Sequence, residues 1–153
     1  MRVASTASAD RRSIIHQLQH EITIATPGPG AIDITNQVCG FVRDSTVNDG
    51  LLTIHVTHTS ASLMIQENAD PQVLRDMEAF LRRLVPPGDR LFRHTAEGPD
   101  DMPAHVRSAL TSTTLSIPVR GGRPALGTWQ AIYLYEHRDH PHHRSLVLHL
   151  LGD

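Results

Sequence analysis

The chain has 153 residues, a length that fits one domain with a sizeable buried core. Sixteen acidic residues against fourteen basic residues give a formal net charge of −2, and the sequence has no block rich in Lys or Arg. This balance excludes the electrostatic signature of a nucleic-acid-binding protein. The start of the chain lacks an apolar run long enough for a signal peptide or a membrane span, so we expect a cytoplasmic protein without a membrane partner.

The first third of the chain predicts a strand, a short helix and a second strand. Polar and apolar residues alternate over residues 16–24, and the prolines and glycines of residues 27–30 end this strand. Apolar residues at helical spacing then predict a helix that Asp33 or Thr35 caps. After a turn at residues 48–50, one face of the next strand carries Leu52, Ile54, Val56 and His58.

Two further helices are predicted in the middle of the chain. Asp70 and Pro71 supply an N-cap and a first helical residue. The apolar stripe of this helix comprises Val73, Met77, Phe80, Leu81 and Leu84. A third helix begins near Pro103 and is expected to turn Val106, Ala109 and Leu110 inward.

The last third predicts strands over residues 113–119, 126–136 and 145–151. Strands outnumber helices, and they do not alternate regularly with helices as in a parallel α/β fold. We therefore expect an α+β fold with a mainly antiparallel β-sheet and about three helices. Residues 1–153 should form one compact domain, in which residues 1–15 are a flexible N-terminal extension.

The segment between the second and third helices is rich in groups that bind metals or transfer protons. His94 and His105 bracket three carboxylates, those of Glu97, Asp100 and Asp101. The positive end of the helix dipole disfavours an imidazolium at His105, which suits a metal ligand or a general base. Asp100 or Asp101 can equally serve as a helix cap, and capping does not exclude chemistry.

Hydroxyl groups follow the strand that ends in His58, and they can bind phosphate without a basic residue. Thr59, Ser60 and Ser62 can donate hydrogen bonds to phosphate oxygens, together with backbone N–H groups, although an ordinary polar turn is the alternative. Glu67 lies just downstream and would repel a bare phosphate unless a cation stood between them. This conflict points to a divalent metal ion.

His137 and Arg138 directly follow the strand predicted over residues 126–136. In a regular strand Glu136 and His137 point to opposite faces, so they cannot share one site. We favour His137 as the site residue, with Arg138 available to neutralise substrate oxygens. Histidines from separate segments, with one coordination position open, match a catalytic zinc or a similar metal.

Four motifs together resemble the YjbQ-like family, also called the secondary thiamine-phosphate synthase family. They occur in order at residues 58–63, 67–71, 97–105 and 127–138. The resemblance implies a compact α+β fold, a homotrimer and a thiamine-phosphate synthase activity. That reaction joins a pyrimidine pyrophosphate to a thiazole phosphate and releases pyrophosphate, so the implied ligand is a phosphorylated small molecule.

The motifs also imply a set of site residues and a divalent metal ion, zinc or magnesium. The metal ligands would be His94, His105 and His137. The catalytic residues would be His58, Glu97 and Asp101. The residues that bind phosphate or substrate would be Thr59, Ser60, Ser62, Asn68, Gln130 and Arg138.

Three alternatives to this transferase remain open on the sequence. The same groups could hydrolyse a phosphoester with the help of a metal ion. The pocket could also hold a phosphorylated metabolite without turning it over. In the third reading the histidines are hydrogen-bonding groups between subunits.

Overall fold

The computed structural model describes residues 15–153, so the expected N-terminal extension lies outside the described residues except for Ile15. The described part has three helices, α1 (Thr35–Asp44), α2 (Pro71–Leu84) and α3 (Asp101–Leu110). Its strands are β1 (His16–Thr26), β2 (Gly30–Asp33), β3 (Gly50–Val56), β4 (Ala61–Glu67), β5 (Thr114–Arg120), β6 (Arg123–Pro124), β7 (Gln130–Glu136) and β8 (His142–Gly152). These elements confirm the predicted α+β fold with three helices.

The strands form two antiparallel sheets. The larger sheet has the order β1-β8-β3-β5-β6 and the smaller sheet has the order β2-β7-β4. The apolar core contains Ile54 and Leu148 from the larger sheet, Leu134 from the smaller sheet, and Val38 and Val42 from α1. The burial of these side chains between the sheets supplies the main free energy of folding.

Helix α2 begins as predicted, but its apolar stripe is not buried. The Asp70 carboxylate accepts a hydrogen bond from the Gln72 N–H at 2.8 Å, and Pro71 is the first helical residue. Phe80 and Leu84 are nevertheless 53% and 56% exposed. The predicted helix is therefore confirmed, while one part of its apolar face has no cover among the described residues.

The predicted inward face of α3 was wrong. Leu110 is 58% exposed, whereas Arg107 and Ser108 are buried. Ser108 donates a hydrogen bond to the Ala61 carbonyl at 3.0 Å, and Arg107 donates one to the Val85 carbonyl at 2.7 Å. The helix thus makes polar contacts with β4 and with the residue that follows α2, and a search for apolar periodicity does not detect such contacts.

The smaller sheet places the sequence motifs at two separate ends. Strands β4 and β7 pair so that Ala61 is opposite Glu136 and Glu67 is opposite Gln130. These two pairs lie six residues apart along the strand, a separation of about 20 Å. The segments around His58 and His137 therefore lie at one end of the sheet, and the segments around Asn68 and Gln130 lie at the other. Among the described residues, no helix has the length and apolarity needed to cross a membrane.

Candidate functional site

His94, Asp101 and His105 come together beside the start of α3. Asp101 is the first residue of the helix and His105 lies one turn later, while His94 comes from the preceding loop. The Asp101 Oδ2 atom is 2.9 Å from His94 Nε2 and 3.3 Å from His105 Nε2. The three ligand atoms all lie within 4.8 Å of one another. This is the arrangement of side chains that could hold a metal ion.

The backbone of the β3–β4 connection orients the ring of His105. The His105 Nδ1 atom is 2.9 Å from the Thr59 carbonyl oxygen, which can only accept a hydrogen bond. Nδ1 must therefore carry a proton, and in the neutral ring Nε2 offers its lone pair toward Asp101. Such a contact between the second ring nitrogen and a carbonyl is typical of a metal-binding histidine.

Arg138 fixes the acidic residues at the start of α3. Its Nε atom donates to Asp100 Oδ2 at 2.8 Å, and its Nη1 atom donates to Asp101 Oδ1 at 2.6 Å. Its Nη2 atom donates to the Glu97 carbonyl at 2.8 Å. The guanidinium is nearly buried and faces these groups. Arg138 therefore holds the Asp101 carboxylate in a fixed orientation.

The side chain of Asp100 is part of this ion-pair cluster and does not cap the helix. It makes no capping hydrogen bond, and its Oδ2 atom accepts from Arg138 and from the Asp139 N–H. Burial alone would raise the pKa of Asp100, but these two hydrogen bonds, together with one from its own backbone N–H and the positive charge of Arg138, lower the pKa. The carboxylate therefore stays charged and pairs with Arg138.

Glu97 lies at the solvent edge of the cluster. Its side chain is 69% exposed, and its Oε2 atom is 3.5 Å from the Nη1 atom of Arg138. Its backbone carbonyl is the part that anchors the loop. The exposed carboxylate is therefore accessible to solvent at the edge of the cluster.

His137 does not join His94 and His105 in the described structure. It is 1% exposed, and its Nε2 atom is 2.8 Å from the buried Ser62 hydroxyl. Burial lowers the pKa of His137 to about 4, with a smaller contribution from the charge of Arg107. Both His137 and Ser62, predicted as a metal ligand and a phosphate ligand, are enclosed under α3.

A surface cavity of about 570 Å³ adjoins the cluster and shares His105 with it. We call this cavity the groove, and its lining residues are His55, Val56, Thr57, His58, Thr59, His105, Ser108, Ala109 and Thr113. Ser60, by contrast, is buried, and its carbonyl accepts from Arg144. Of the three hydroxyls predicted to bind phosphate, only that of Thr59 lines the groove.

Asn68 and Gln130 lie at the far end of the smaller sheet. The Asn68 N–H donates to the Trp129 carbonyl at 3.0 Å, and Gln130 Oε1 accepts from the Gly127 N–H at 2.8 Å. Gln130 lines a separate cavity of about 430 Å³ next to the exposed Trp129 ring. The structure therefore does not bring these two predicted residues to His105 within one subunit.

Several site residues were not found by reading the sequence. His55, Thr57 and Thr113 line the groove, yet each lies within or directly beside an ordinary strand. The pairing of Arg144 with Glu136 was also missed, because the two residues lie on consecutive strands, β7 and β8, that belong to different sheets. Only the run of hydroxyl groups after His58 signalled this region.

Comparison with known proteins supports the family resemblance across most of the chain. The sequence model of the UPF0047 protein YjbQ-like family matches residues 20–153. A UPF0047 protein of Synechocystis is 50% identical over 137 residues, which cover 90% of this chain and 93% of that protein. The YjbQ protein of Escherichia coli is 41% identical, and the match covers 88% of this chain and 98% of that protein.

A solved structure has the same fold. The crystal structure of a hypothetical protein from Aeropyrum pernix has a TM-score of 0.81 and 31% sequence identity, covering 89% of this chain and 99% of that chain. The Thermus thermophilus conserved hypothetical protein gives a TM-score of 0.75 at 34% identity, with 84% of this chain and 97% of that chain covered. The chain therefore belongs to the YjbQ-like UPF0047 family.

Proposed function

We propose that the protein is a metal-assisted enzyme that acts on phosphorylated small molecules. The observation that supports this most is the convergence of His94, Asp101 and His105 next to an open groove. Catalytic metal sites commonly use three protein ligands and leave a further position for water or substrate. A structural site would close that position with a fourth side chain, and none of the described residues adds one here.

The donor set suits a divalent cation, and zinc in particular. If the ring of His105 is neutral, its Nε2 lone pair and the Asp101 Oδ2 atom are two acceptors only 3.3 Å apart. Two acceptors at this distance repel each other unless a proton or a cation lies between them. Two imidazoles with one carboxylate favour zinc over magnesium, which prefers oxygen ligands and water.

The chain's own residues would position the metal and the substrate. A divalent cation held by these ligands would offset negative charge on phosphate oxygens during the reaction. Arg138 keeps Asp101 in place, and Thr59 keeps His105 in place. Glu97, exposed beside Arg138, would accept or release a proton at the edge of the site.

The reaction we propose is the one that the family resemblance implies, a thiamine-phosphate synthase-like transfer. A pyrimidine pyrophosphate would be attacked by the nitrogen of a thiazole phosphate, and pyrophosphate would leave with the bonding electron pair. Charge builds up on the departing pyrophosphate, so a cation beside the leaving group is what this chemistry requires.

We also propose that the chain assembles as a homotrimer. Phe80, Leu84 and Leu110 are each more than half exposed in the single chain. A cavity of about 830 Å³ lies between Phe80 on α2 and Thr111 after α3. Large exposed apolar side chains are typical of a surface that another chain covers.

The first experiment measures bound metal in the dialysed full chain by mass spectrometry. We expect close to one zinc per chain in wild type, and loss of that zinc in His105→Ala and Asp101→Asn. The matched control is His140→Ala, because His140 is an exposed loop histidine outside the cluster. Zinc that remains bound in His105→Ala would overturn the site.

Steady-state turnover separates the enzymatic activities from simple binding. Release of pyrophosphate from the pyrimidine and thiazole substrates by wild type, with at least a hundredfold loss in His105→Ala, would support the transferase. Release of inorganic phosphate from phosphoesters would instead identify a hydrolase. Thermal stabilisation by these ligands without turnover would identify a binding protein.

A further inference from the structure

The side chain of His58 completes a hydrogen-bond ladder that the backbone of β3 leaves unfinished. Strand β3 ends at Val56, and the Thr57 N–H still donates to the Ser145 carbonyl at 3.1 Å. The opposing donor, the Ser145 N–H, is bonded to the His58 Nε2 atom at 2.9 Å. A backbone N–H in a sheet requires an acceptor, and here an imidazole nitrogen provides it.

This contact determines which nitrogen of His58 carries the proton. Nε2 accepts from a backbone N–H, so it must keep its lone pair, and the ring proton must be on Nδ1. Burial lowers the pKa of His58, and the nearby charge of Arg144 lowers it further. The ring is therefore neutral at pH 7, with a single N–H that no described residue accepts.

The Nδ1–H of His58 is the polar group that this side chain can offer to the groove. His58 is partly accessible and lines the groove, and Nδ1 is not among the enclosed polar atoms without a partner. The Nε2 lone pair of His58 already accepts the hydrogen bond from the Ser145 N–H. The ring can therefore donate a hydrogen bond to a ligand but cannot take a proton from one without losing its contact to the sheet.

The rest of the groove also favours an acceptor ligand. Thr59 and Thr113 also line the groove, and their hydroxyls make no hydrogen bond to another described residue. The hydroxyls of Thr57 and Ser108 are already used, because they donate to the carbonyls of Ser145 and Ala61. None of the residues that line the groove is a carboxylate, so nothing in its wall repels an anion.

Charged residues near His58 do not change this conclusion. Arg144 lies behind the groove, and its guanidinium is paired with the buried Glu136 carboxylate, with the Nε atom 2.7 Å from Oε2. The two opposite charges largely cancel at the distance of the groove. The remaining attraction for a ligand comes from neutral N–H and O–H donors.

From this geometry we propose that the groove is an anion subsite, in which the Nδ1–H of His58 and the hydroxyls of Thr59 and Thr113 bind a phosphoryl group. His105 belongs to both the groove and the proposed metal cluster, so a ligand in the groove would lie next to the proposed metal site. The subsite deepens the proposed function by assigning His58 to phosphate binding as a neutral donor. The ligand class is a phosphate monoester or a pyrophosphate.

The test is calorimetric titration of the full chain with inorganic phosphate, in the chelator-treated form and in the zinc-loaded form. We expect saturable binding of one phosphate in both forms. His58→Leu should weaken it by at least about tenfold, the effect of losing one hydrogen bond to a charged ligand. His58→Gln can accept from Ser145 and donate to phosphate, so it should restore part of the affinity.

His140→Leu is the matched control, since it removes an exposed histidine outside the groove, and it should leave phosphate affinity unchanged. Thr113→Val provides a second variant that spares the sheet, and it should weaken phosphate binding severalfold. Nitrogen NMR of wild type needs no variant. It should show a protonated Nδ1 and an unprotonated Nε2 for His58, with Nδ1 perturbed by phosphate.

The outcomes separate this inference from the proposed metal site. Phosphate binding that depends on His58, in a chain that binds no zinc even when zinc is supplied, would support the subsite and overturn the metal-assisted function. Zinc binding with a phosphate affinity indifferent to both His58→Leu and Thr113→Val would overturn the subsite alone. A proton found on Nε2 of His58 would also overturn it.

Discussion

The two carboxylate oxygens of Asp101 have different partners: Oδ1 accepts a hydrogen bond from Arg138, and Oδ2 faces the imidazoles of His94 and His105. The Arg138 Nη1 atom donates to Oδ1 at 2.6 Å, while Oδ2 lies 2.9 Å from His94 Nε2. A carboxylate held in this way has one fixed orientation at the moment a ligand arrives. The cost of ordering the site is met during folding and not during binding.

Replacement of Arg138 should therefore damage both stability and metal binding. Arg138→Ala leaves the buried carboxylates of Asp100 and Asp101 without their cation, and we expect a loss of about 3 kcal/mol in the free energy of unfolding. Zinc affinity should fall at least about tenfold, as for other residues that orient ligands. Urea unfolding and competition with a chelator measure the two effects.

The control for this variant is Arg43→Ala, which breaks an ion pair whose two side chains are each 75% exposed. We expect a change below about 1 kcal/mol, because solvent screens exposed pairs. Equal destabilisation by the two variants would contradict the structural role assigned to Arg138.

His137 should make the protein less stable below neutral pH. Its pKa is lowered to about 4 in the folded chain by burial, whereas an unfolded histidine titrates near 6.5. Between these two values the unfolded chain binds the proton and the folded chain does not, so stability falls as the pH drops from about 6.5 toward 4. The full effect is roughly 3 kcal/mol.

The measurement is the free energy of unfolding at pH 7 and pH 5 for wild type and His137→Gln. The variant cannot titrate, so its stability should vary less between these pH values than that of wild type. His140→Gln, in the exposed loop, should retain the pH dependence of wild type. If His137→Gln also retains it, the buried neutral imidazole is not its source.

Glu136 should control a second loss of stability at lower pH. Burial alone would raise its pKa, but hydrogen bonds from Arg144, the Arg138 N–H and Thr26 outweigh burial and lower it. A lowered pKa in the folded chain gives stability that is present above the unfolded value near 4.3 and is lost as the pH falls through the folded value.

Glu136→Gln tests this contribution by removing the titrating group. It should lower stability at pH 7 by about 3 kcal/mol, since Arg144 loses its buried partner. It should also flatten the pH dependence below about pH 4.3. Glu21→Gln, at an exposed position in β1, should match wild type in both respects. An acid-unfolding profile that Glu136→Gln leaves unchanged would count against this role.

The exposed face of α2 makes a prediction about assembly. Phe80→Asp places a charge among apolar side chains that we expect a second copy to cover, so it should convert trimers into monomers in sedimentation equilibrium. Leu51→Asp alters a residue that is 45% exposed on the larger sheet, and it should leave the trimer intact. If only Leu51→Asp dissociates the trimer, the interface lies on the larger sheet and not on α2.

The sequence predicted those elements whose signals are local. Helix α2 begins at Pro71 because the cap at Asp70 and the proline act within one turn. The opposite facing of Glu136 and His137 follows from the two-residue period of a strand, and the structure has Glu136 against Arg144 and His137 against Ser62. What lies against each face depends on packing, so the sequence could not show that His137 is enclosed.

Strand β4 was missed for a related reason. Ala61, Ser62 and Leu63 are all buried, so the strand has no alternation of polar and apolar residues. The hydroxyl of Ser62, directly after those of Thr59 and Ser60, therefore resembled part of a phosphate-binding turn. The association of Arg138 with Asp100 joins residues 38 positions apart, and no local pattern reports such a pair.

Helix α3 is attached to the β3–β4 connection by two side chains on one face, since His105 bonds the Thr59 carbonyl and Ser108 bonds the Ala61 carbonyl. The consequence is thermodynamic. A cation at His105 and a ligand in contact with Thr59 act on the same short segment of backbone. If binding of one orders this segment, the other binds with a smaller loss of conformational entropy. By linkage, the factor by which the first strengthens the second must equal the factor by which the second strengthens the first.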